Sequence, residues 1–306
     1  MNWQPSSNLA TLRQRAQLLD DIRSFFKKKN ILEVDTPLLC QHTVTDQHID
    51  SFAVNNRYLQ TSPEYAMKRL LAAGSGSIFQ ICKAFRHDES GRLHNPEFTL
   101  LEWYHVGFNH HDLMDEIDEL LCLILKTDAA DRLTYQDLFE KYCQLDPLNC
   151  DLETLKTRIE NTNTDTLDRD TCLQLLFSQK IEPQLGLDKP TFVYGFPASQ
   201  AALAKISKDN PLVAERFEVF IHGMEIANGF HELTDADEQL SRFKKDQNNR
   251  GNAGKVGPEI DMRFIDALKN GLPDCAGVAL GIDRLMLCLT NNNAIKDVIA
   301  FDWDAA

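Results

Sequence analysis

Arg86 stands between an apolar run, Ile78-Phe79-Gln80-Ile81, and a polar loop that holds Gly91, after which the chain returns through a second apolar run around Phe98 to Trp103. Two such runs joined by a loop too long for a two-residue turn predict a hairpin. Arg86, Asp88, Arg92, His94, Asn95 and Glu102 would then cluster at its mouth. A guanidinium with five fixed donors suits a phosphate or a carboxylate. Two distant stretches share this mixture of charge and apolar residues. Glu215 to Leu233 reads Glu-Arg-Phe-Glu-Val-Phe-Ile-His-Gly-Met-Glu-Ile-Ala-Asn-Gly-Phe-His-Glu-Leu, and Gly277 to Arg284 reads Gly-Val-Ala-Leu-Gly-Ile-Asp-Arg. Glu218 and Glu225 fall on adjoining strands across a turn at His222-Gly223. Mg2+, which takes one or two carboxylates together with phosphate oxygens, suits such a pair. Ordinary surface ion pairs are the competing reading for each residue taken alone, because short motifs also match by chance.

The elements that must position these groups can be read in order. Leu9, Leu12, Ala16, Leu19, Ile22 and Phe26 recur at steps of three and four, which predicts an amphipathic helix over 8–29. Asn8 suits its N-cap, and Lys27, Lys28 and Lys29 suit its negative end. A short strand over 31–35 is expected before Pro37. Next come a strand near Tyr58 and a helix over 65–73, opened by Pro63 and stopped by Gly74, which points Ser62 and Glu64 towards a site. Beyond the hairpin, helices are expected over 112–125 and near 171–179, and strands over 191–197, 216–221 and 224–230. Helices over 235–249 and 260–269 follow, then a strand at 278–280 that leads into a helix over 282–289, and a last strand over 298–301. Hairpin-linked strands with separate helices favour an α+β fold, an antiparallel sheet flanked by helices. Residues 126–190 read as a small helical insertion within a single catalytic domain spanning 1–306.

Composition narrows the partners. The 306 residues carry a formal net charge of −14, a deficit of the Lys and Arg on which nonspecific nucleic-acid binding rests. Arg242, Lys244, Lys245 and Arg250 read as the solvated face of a helix. No segment has the apolar length of a membrane span and the opening Met-Asn-Trp-Gln-Pro lacks a signal-peptide pattern, so a cytoplasmic location is expected. The eight cysteines form no C-x-x-C pair and mostly have apolar neighbours, as free thiols of a reducing compartment do. His105, His110 and His111 lack the spacing of a metal motif and are expected in a solvated loop.

With Thr36-Pro37, the three stretches resemble the motifs of class II aminoacyl-tRNA synthetases, in the right order and over nearly the whole chain. Pro37 matches the first motif, Arg86 the second and Arg284 the third. Thr61-Ser62-Pro63-Glu64, His94-Asn95-Pro96-Glu97-Phe98 and Asn228-Gly229-Phe230 followed by Glu232 resemble the lysine enzymes. The resemblance implies attack of an amino-acid carboxylate on the α-phosphate of ATP, with pyrophosphate expelled. It places Arg86 between the α-phosphate and the carboxylate and Arg284 at the γ-phosphate, two cations for a transition state that gathers negative charge. Asp88, His94, Asn95 and Ile226 are implied around the adenine or ribose, with His87 and Glu225 also on the ATP side. Gly281 would give the nucleotide close approach to the backbone. His87 and Asp88 depart from the Arg-Asn-Glu common in the family, which leaves either Asp88 or Glu89 to read the adenine amino group. For the amino acid, Ser62, Pro63, Glu64, Glu102, Tyr104, Asn228, Phe230 and Glu232 carry over. Glu64 with Ser62 would take the reacting end, Tyr104 and Glu232 the far ammonium, and Phe230 the methylenes. A substrate with two ammonium groups needs such carboxylates, because a buried unpaired charge is costly. In class II enzymes the long helix, the strand and the first-motif proline build a dimer interface, which implies a homodimer.

Two departures point away from tRNA as the acceptor. The lysine enzymes carry an N-terminal oligonucleotide-binding barrel, and a helix starting at about residue 8 leaves no room ahead of it for an anticodon-binding domain. They also have Gly-Leu-Gly before the Asp-Arg pair, where this sequence has Ala279-Leu280-Gly281. Two residues from Gly281 on one strand face, Ala279 would border the reacting end of the amino acid. With Trp3-Gln4-Pro5 and Pro197-Ala198-Ser199-Gln200, these features look like the elongation factor P (R)-β-lysine ligase family. Its members activate β-lysine as an adenylate and transfer it to a lysine side chain of elongation factor P. The resemblance implies ATP and Mg2+, (R)-β-lysine and elongation factor P as substrates, and no stable tRNA or membrane binding. Two competing readings are a synthetase-like enzyme acting on tRNA or another diamino acid, and a non-catalytic paralogue that binds ATP or lysine. Retention of Arg86, Glu218, Glu225 and Arg284 together argues against the latter.

Overall fold

The structure is a computed structural model that describes residues 3–46, 48–87, 89–160, 162–255 and 257–306. The chain divides into two compact units, one formed by Met1–Gly107 with Leu233–Ala306 and the other by Phe108–Glu232.

The first unit opens with α1 (Leu9–Lys28), which buries Leu18, Ile22, Phe25 and Phe26 and is capped by Asn8 through the Thr11 amide. β1 (Leu32–Glu33) keeps two of the five residues expected there. β2 (Leu39–Cys40), β3 (Ala53–Val54) and β4 (Arg57–Leu59) form a small separate sheet. Helix α2 (Glu64–Ala72) precedes the expected long hairpin, β5 (Ile78–Phe85) and β6 (Glu97–Val106), paired from Ile78↔Tyr104 to Phe85↔Glu97. Phe26 of α1 stacks on Phe79 of the hairpin at 4.5 Å and meets Trp103 edge-on at 5.3 Å.

The second unit holds α3 (His110–Leu125), β7 (Asp131–Thr134), α4 (Tyr135–Cys143), α5 (Leu152–Lys156), α6 (Arg169–Leu176), β8 (Thr191–Tyr194), β9 (Arg216–Ile221) and β10 (Met224–His231). Its strands run in the order β10-β9-β8-β7, with β7 parallel to β8 and the other pairs antiparallel. Residues 126–190 contribute β7 to this sheet as well as helices. They build an aromatic core in which Tyr135 stacks on Phe177 at 5.3 Å, with Phe139, Leu173 and Phe220 around them.

The chain re-enters the first unit with α7 (Ala236–Asn252), α8 (Met262–Gly271), β11 (Cys275–Gly281) and α9 (Ile282–Thr290). β11 pairs antiparallel with β6 and β1 parallel with β5, which gives the order β1-β5-β6-β11. Tyr65 of α2 stacks on Phe264 of α8 at 4.6 Å. Mostly antiparallel pairing with helices set against it matches the α+β expectation.

Several local expectations are corrected. Val298–Phe301 is turn and bend rather than strand. Val298 and Ile299 are buried, and Ser6 N–H and Ser7 Oγ donate to the carbonyls of Ala300 and Asp297 at 2.8 and 2.6 Å, so burial, one backbone bond and one side-chain bond take the place of a ladder. Pro63 is the N-cap of α2, and Glu64 is its first residue. His105 lies on β6, and His110 and His111 open α3 behind a capping box of Asn109 and Asp112, not in a solvated loop. Arg250 leaves the solvated face of α7: it is 6% exposed and binds Asp50 and the carbonyls of Asp46 and Ile49. All eight cysteines are free, and among the described residues no helix is long and apolar enough to cross a membrane.

Candidate active site

β6 carries Glu102 into the interior of the first unit, where it is 2% exposed. Ser62 Oγ donates to Glu102 Oε2 and Tyr104 Oη to Oε1, each at 2.7 Å. Ser62 Oγ also accepts the Glu64 N–H at 3.1 Å, so the Thr61-Ser62-Pro63-Glu64 run turns around its own hydroxyl. The strand register sets Gln80 of β5 and Ala279 of β11 directly opposite Glu102, and residues paired this way share a sheet face. Burial pushes the Glu102 carboxyl up to about 8; the charge of Glu64 adds to this, while Tyr104, Ser62 and Lys68 oppose it.

One turn into α2, Lys68 is 1% exposed and bonds Glu64 Oε1 at 2.6 Å. Its ammonium lies over the rings of Tyr104 and Phe264, at 5.9 and 6.0 Å. Lys68 was not anticipated, although Glu64 and Lys68 have the i,i+4 spacing that pairs charges on a helix. Two carboxyl groups against one ammonium suit the pocket to a cationic ligand.

Arg86 sits at the end of β5 with its N–H bonded to Pro96 O at 2.9 Å and its guanidinium over Phe98 at 5.1 Å. Glu89 is 3.6 Å from its Nη1. His87 is exposed and packs on Phe52 at 4.9 Å. Asp88 lies outside the described residues. Arg284, in the first turn of α9, bonds His94 Nε2 through Nη2 at 2.7 Å and donates from Nε to Leu93 O at 3.4 Å, so the structure brings the third motif onto the hairpin loop. Asn95 is tied to backbone on both sides, donating to Glu97 O at 2.6 Å and accepting the Trp303 N–H at 3.0 Å. Gly281 ends β11 and caps α9. Next to Arg284, Asp283 is 3% exposed, accepts the Thr99 N–H at 2.8 Å and pairs with Arg15 at 2.7 Å. That pair was also not anticipated.

The remaining expected residues belong to the second unit. Glu218 lies opposite Asn228 and Glu225 opposite Phe220, with a register shift between Glu225 and Ala227 that places Ile226 at a bulge. Arg216, two residues along β9, pairs with Glu218 Oε1 and lies over Phe196 at 4.6 Å and Phe230 at 6.0 Å. Burial pushes Glu218 up to about 7, Arg216 opposes the shift and the charge of Glu225 reinforces it. A buried carboxyl beside a second acid gains from a hard cation with oxygen ligands, so this pair fits Mg2+. Asn228 Oδ1 has no donor among the described residues. Glu232 is 1% exposed, on an isolated bridge to Ala204.

Comparison with known proteins identifies the family. A family model described as tRNA synthetases class II (D, K and N) matches residues 1–304. An elongation factor P--(R)-beta-lysine ligase of Yersinia enterocolitica is 51% identical over 315 residues, covering 98% of this chain and 97% of that protein. The protein of that name from Vibrio atlanticus is 51% identical over 316 residues, 98% of each chain. The one from Salmonella arizonae is 49% identical over 319 residues, 99% of this chain and 98% of its own. The chain belongs to the class II tRNA synthetases of the D, K and N type, in the family of the elongation factor P--(R)-beta-lysine ligases.

Proposed function

We propose that the protein activates (R)-β-lysine with ATP and transfers it to the ε-amino group of a lysine of elongation factor P, releasing AMP and pyrophosphate. The observation that carries this reading is the acidic pocket of Glu102 and Glu64, with the Ala279 methyl opposite Glu102 where the lysine enzymes have glycine. In the first step a carboxylate oxygen of β-lysine bonds to the α-phosphorus and the bond to the β-phosphate oxygen breaks. Arg86 and Arg284 stabilise the charge that gathers on the phosphate oxygens. Glu64 and Glu102 receive substrate ammonium, and the resemblance to the lysine enzymes assigns Phe230, Asn228 and Glu232 to the side chain. In the second step the acceptor amine attacks the adenylate carbonyl carbon, the bond to AMP breaks and the amine loses a proton. Mg2+, held by Glu218 and Glu225, supplies further charge neutralisation to the phosphates when bound.

The net charge of −14 supports a protein acceptor over bulk tRNA, and a translation factor as acceptor is the ground for proposing a cytoplasmic location. The protein, ATP and Mg2+ are incubated with β-lysine and either elongation factor P or tRNA, and the products weighed. The expected result is elongation factor P heavier by one β-lysyl group; charged tRNA beside an unmodified factor would overturn the proposal. In the same assay Ala279→Gly tests the pocket. One methyl discriminates by about 1–3 kcal/mol, so the variant gains kcat/KM for α-lysine relative to β-lysine by roughly tenfold or more. An unchanged ratio would rule out steric exclusion by Ala279.

A further inference from the structure

We propose that His110, Glu215 and His231 of the second unit bind a transition-metal ion of the zinc type, at a place that takes no part in the ligase chemistry above. Their ligand atoms all lie within 4.8 Å of one another. His231 Nδ1 is 2.5 Å and His110 Nδ1 4.0 Å from the same oxygen, Glu215 Oε2. Zinc bonds of roughly 2.0–2.2 Å put tetrahedral nitrogen and oxygen ligands about 3.4 Å apart, so the two contacts to Glu215 have to change by less than about 1 Å and the histidine pair by at most about 1.4 Å. His110 Nδ1 is shielded from solvent and has no hydrogen-bond partner among the described residues, an uncommon state for a buried ring nitrogen. Burial, with His111 and His231 beside it, pushes His110 down to about 3, which keeps it the neutral base that ligates metals.

The scaffold holds the three groups in place. His110 is the first residue of α3, fixed by the Asn109–Asp112 capping box. The His231 N–H donates to Glu215 O at 2.9 Å, the Glu215 N–H to Lys205 O at 2.9 Å and the Lys205 N–H to His231 O at 2.8 Å. Two imidazoles and a carboxylate form a borderline donor set that leaves a fourth position for water. Lys205 Nζ lies 3.0 Å from His231 Nε2. With Lys205 donating to Nε2, the ring proton is on Nδ1 and faces Glu215. The ion takes the place of that proton, which passes to Nε2, and Lys205 swings away. Lys205 is therefore a competitor of the ion.

The full chain, freed of metal with a chelator, is titrated with Co2+ and followed by absorbance, and Zn2+ affinity is then measured by competition with a chromophoric chelator. The expected result is one Co2+ per chain with visible bands of a tetrahedral nitrogen and oxygen site. His110→Gln, with melting and circular dichroism unchanged, should weaken Zn2+ beyond the roughly 10–100-fold that losing an outer-shell partner costs. Lys205→Met should tighten it. No cobalt bands, thiolate charge-transfer bands from the free cysteines alone, or equal affinity of native protein and His110→Gln would overturn the site. Unchanged or weaker binding by Lys205→Met would overturn His231 Nδ1 as the ligand atom.

Discussion

Glu102 holds its proton because water is excluded and Glu64 is near, yet Ser62 and Tyr104 both aim donors at it. Its hydrogen bonds prepare a carboxylate that its buried surroundings do not favour. An arriving ammonium reverses that balance, so binding of a lysine-like ligand near neutral pH releases a proton. Calorimetry in two buffers of different ionisation enthalpy reads this directly, and Glu102→Gln should abolish the release. Stability follows the same shift. The unfolded chain loses this proton near 4.5 and the folded protein only near 8, so between those values the folded state binds more protons and stability falls as pH rises. Glu102→Gln lacks that loss, and its melting temperature relative to native protein should rise from pH 5 to pH 8. A constant difference would show that Glu102 ionises normally.

At the scale of elements, the ion pair between half-buried Arg15 and buried Asp283 ties the start of α9, next to Arg284, to α1 and β6. Asp283 at the start of α9 takes the Thr99 N–H of β6 and the Arg15 guanidinium of α1, and Arg15 Nη2 also donates to Thr99 Oγ1 at 2.8 Å. Removing one partner of a fully buried pair costs about 3–5 kcal/mol, and because Arg15 is half-buried the cost here falls at or below the lower end of that range. For a chain of this size Asp283→Ala should lower the melting temperature by up to roughly 6 °C. The added Arg15→Met should recover part of the loss, because the orphaned charge is then removed. A melting temperature unchanged by Asp283→Ala would show that the pair is not an anchor.

At the scale of the whole molecule, three leucines around the first motif remain in solvent: Leu32 at 55%, Leu38 at 40% and Leu39 at 41% exposed. Scattered apolar side chains are ordinary, but their concentration beside Pro37 supports the homodimer inferred from the class II motif. Sedimentation should therefore give twice 34.8 kDa at micromolar protein. Leu32→Glu with Leu39→Glu should shift the protein to monomer. A native monomer under those conditions would remove the dimer.

Much of this architecture was legible in the linear sequence. The three-four spacing from Leu9 to Phe26, the apolar runs of the long hairpin and the turn at His222-Gly223 each depend on near neighbours, and α1, β5–β6 and β9–β10 formed accordingly. Resemblance to the class II motifs, rather than spacing, singled out Glu64, Glu102, Arg86 and Arg284. Tertiary packing decided the partners. No local pattern says that Ser62 and Tyr104 converge on Glu102, that Arg284 reaches His94, or that Asp283 holds Arg15. The same limit explains Val298–Phe301, whose apolar run is satisfied by burial instead of a ladder, and Arg250, whose charge is met by Asp50 from far along the chain. His110, Glu215 and His231 have no motif spacing at all. Periodicity reports which face of an element avoids water; which charged groups meet there depends on contacts between residues distant in sequence, and only the folded chain creates those.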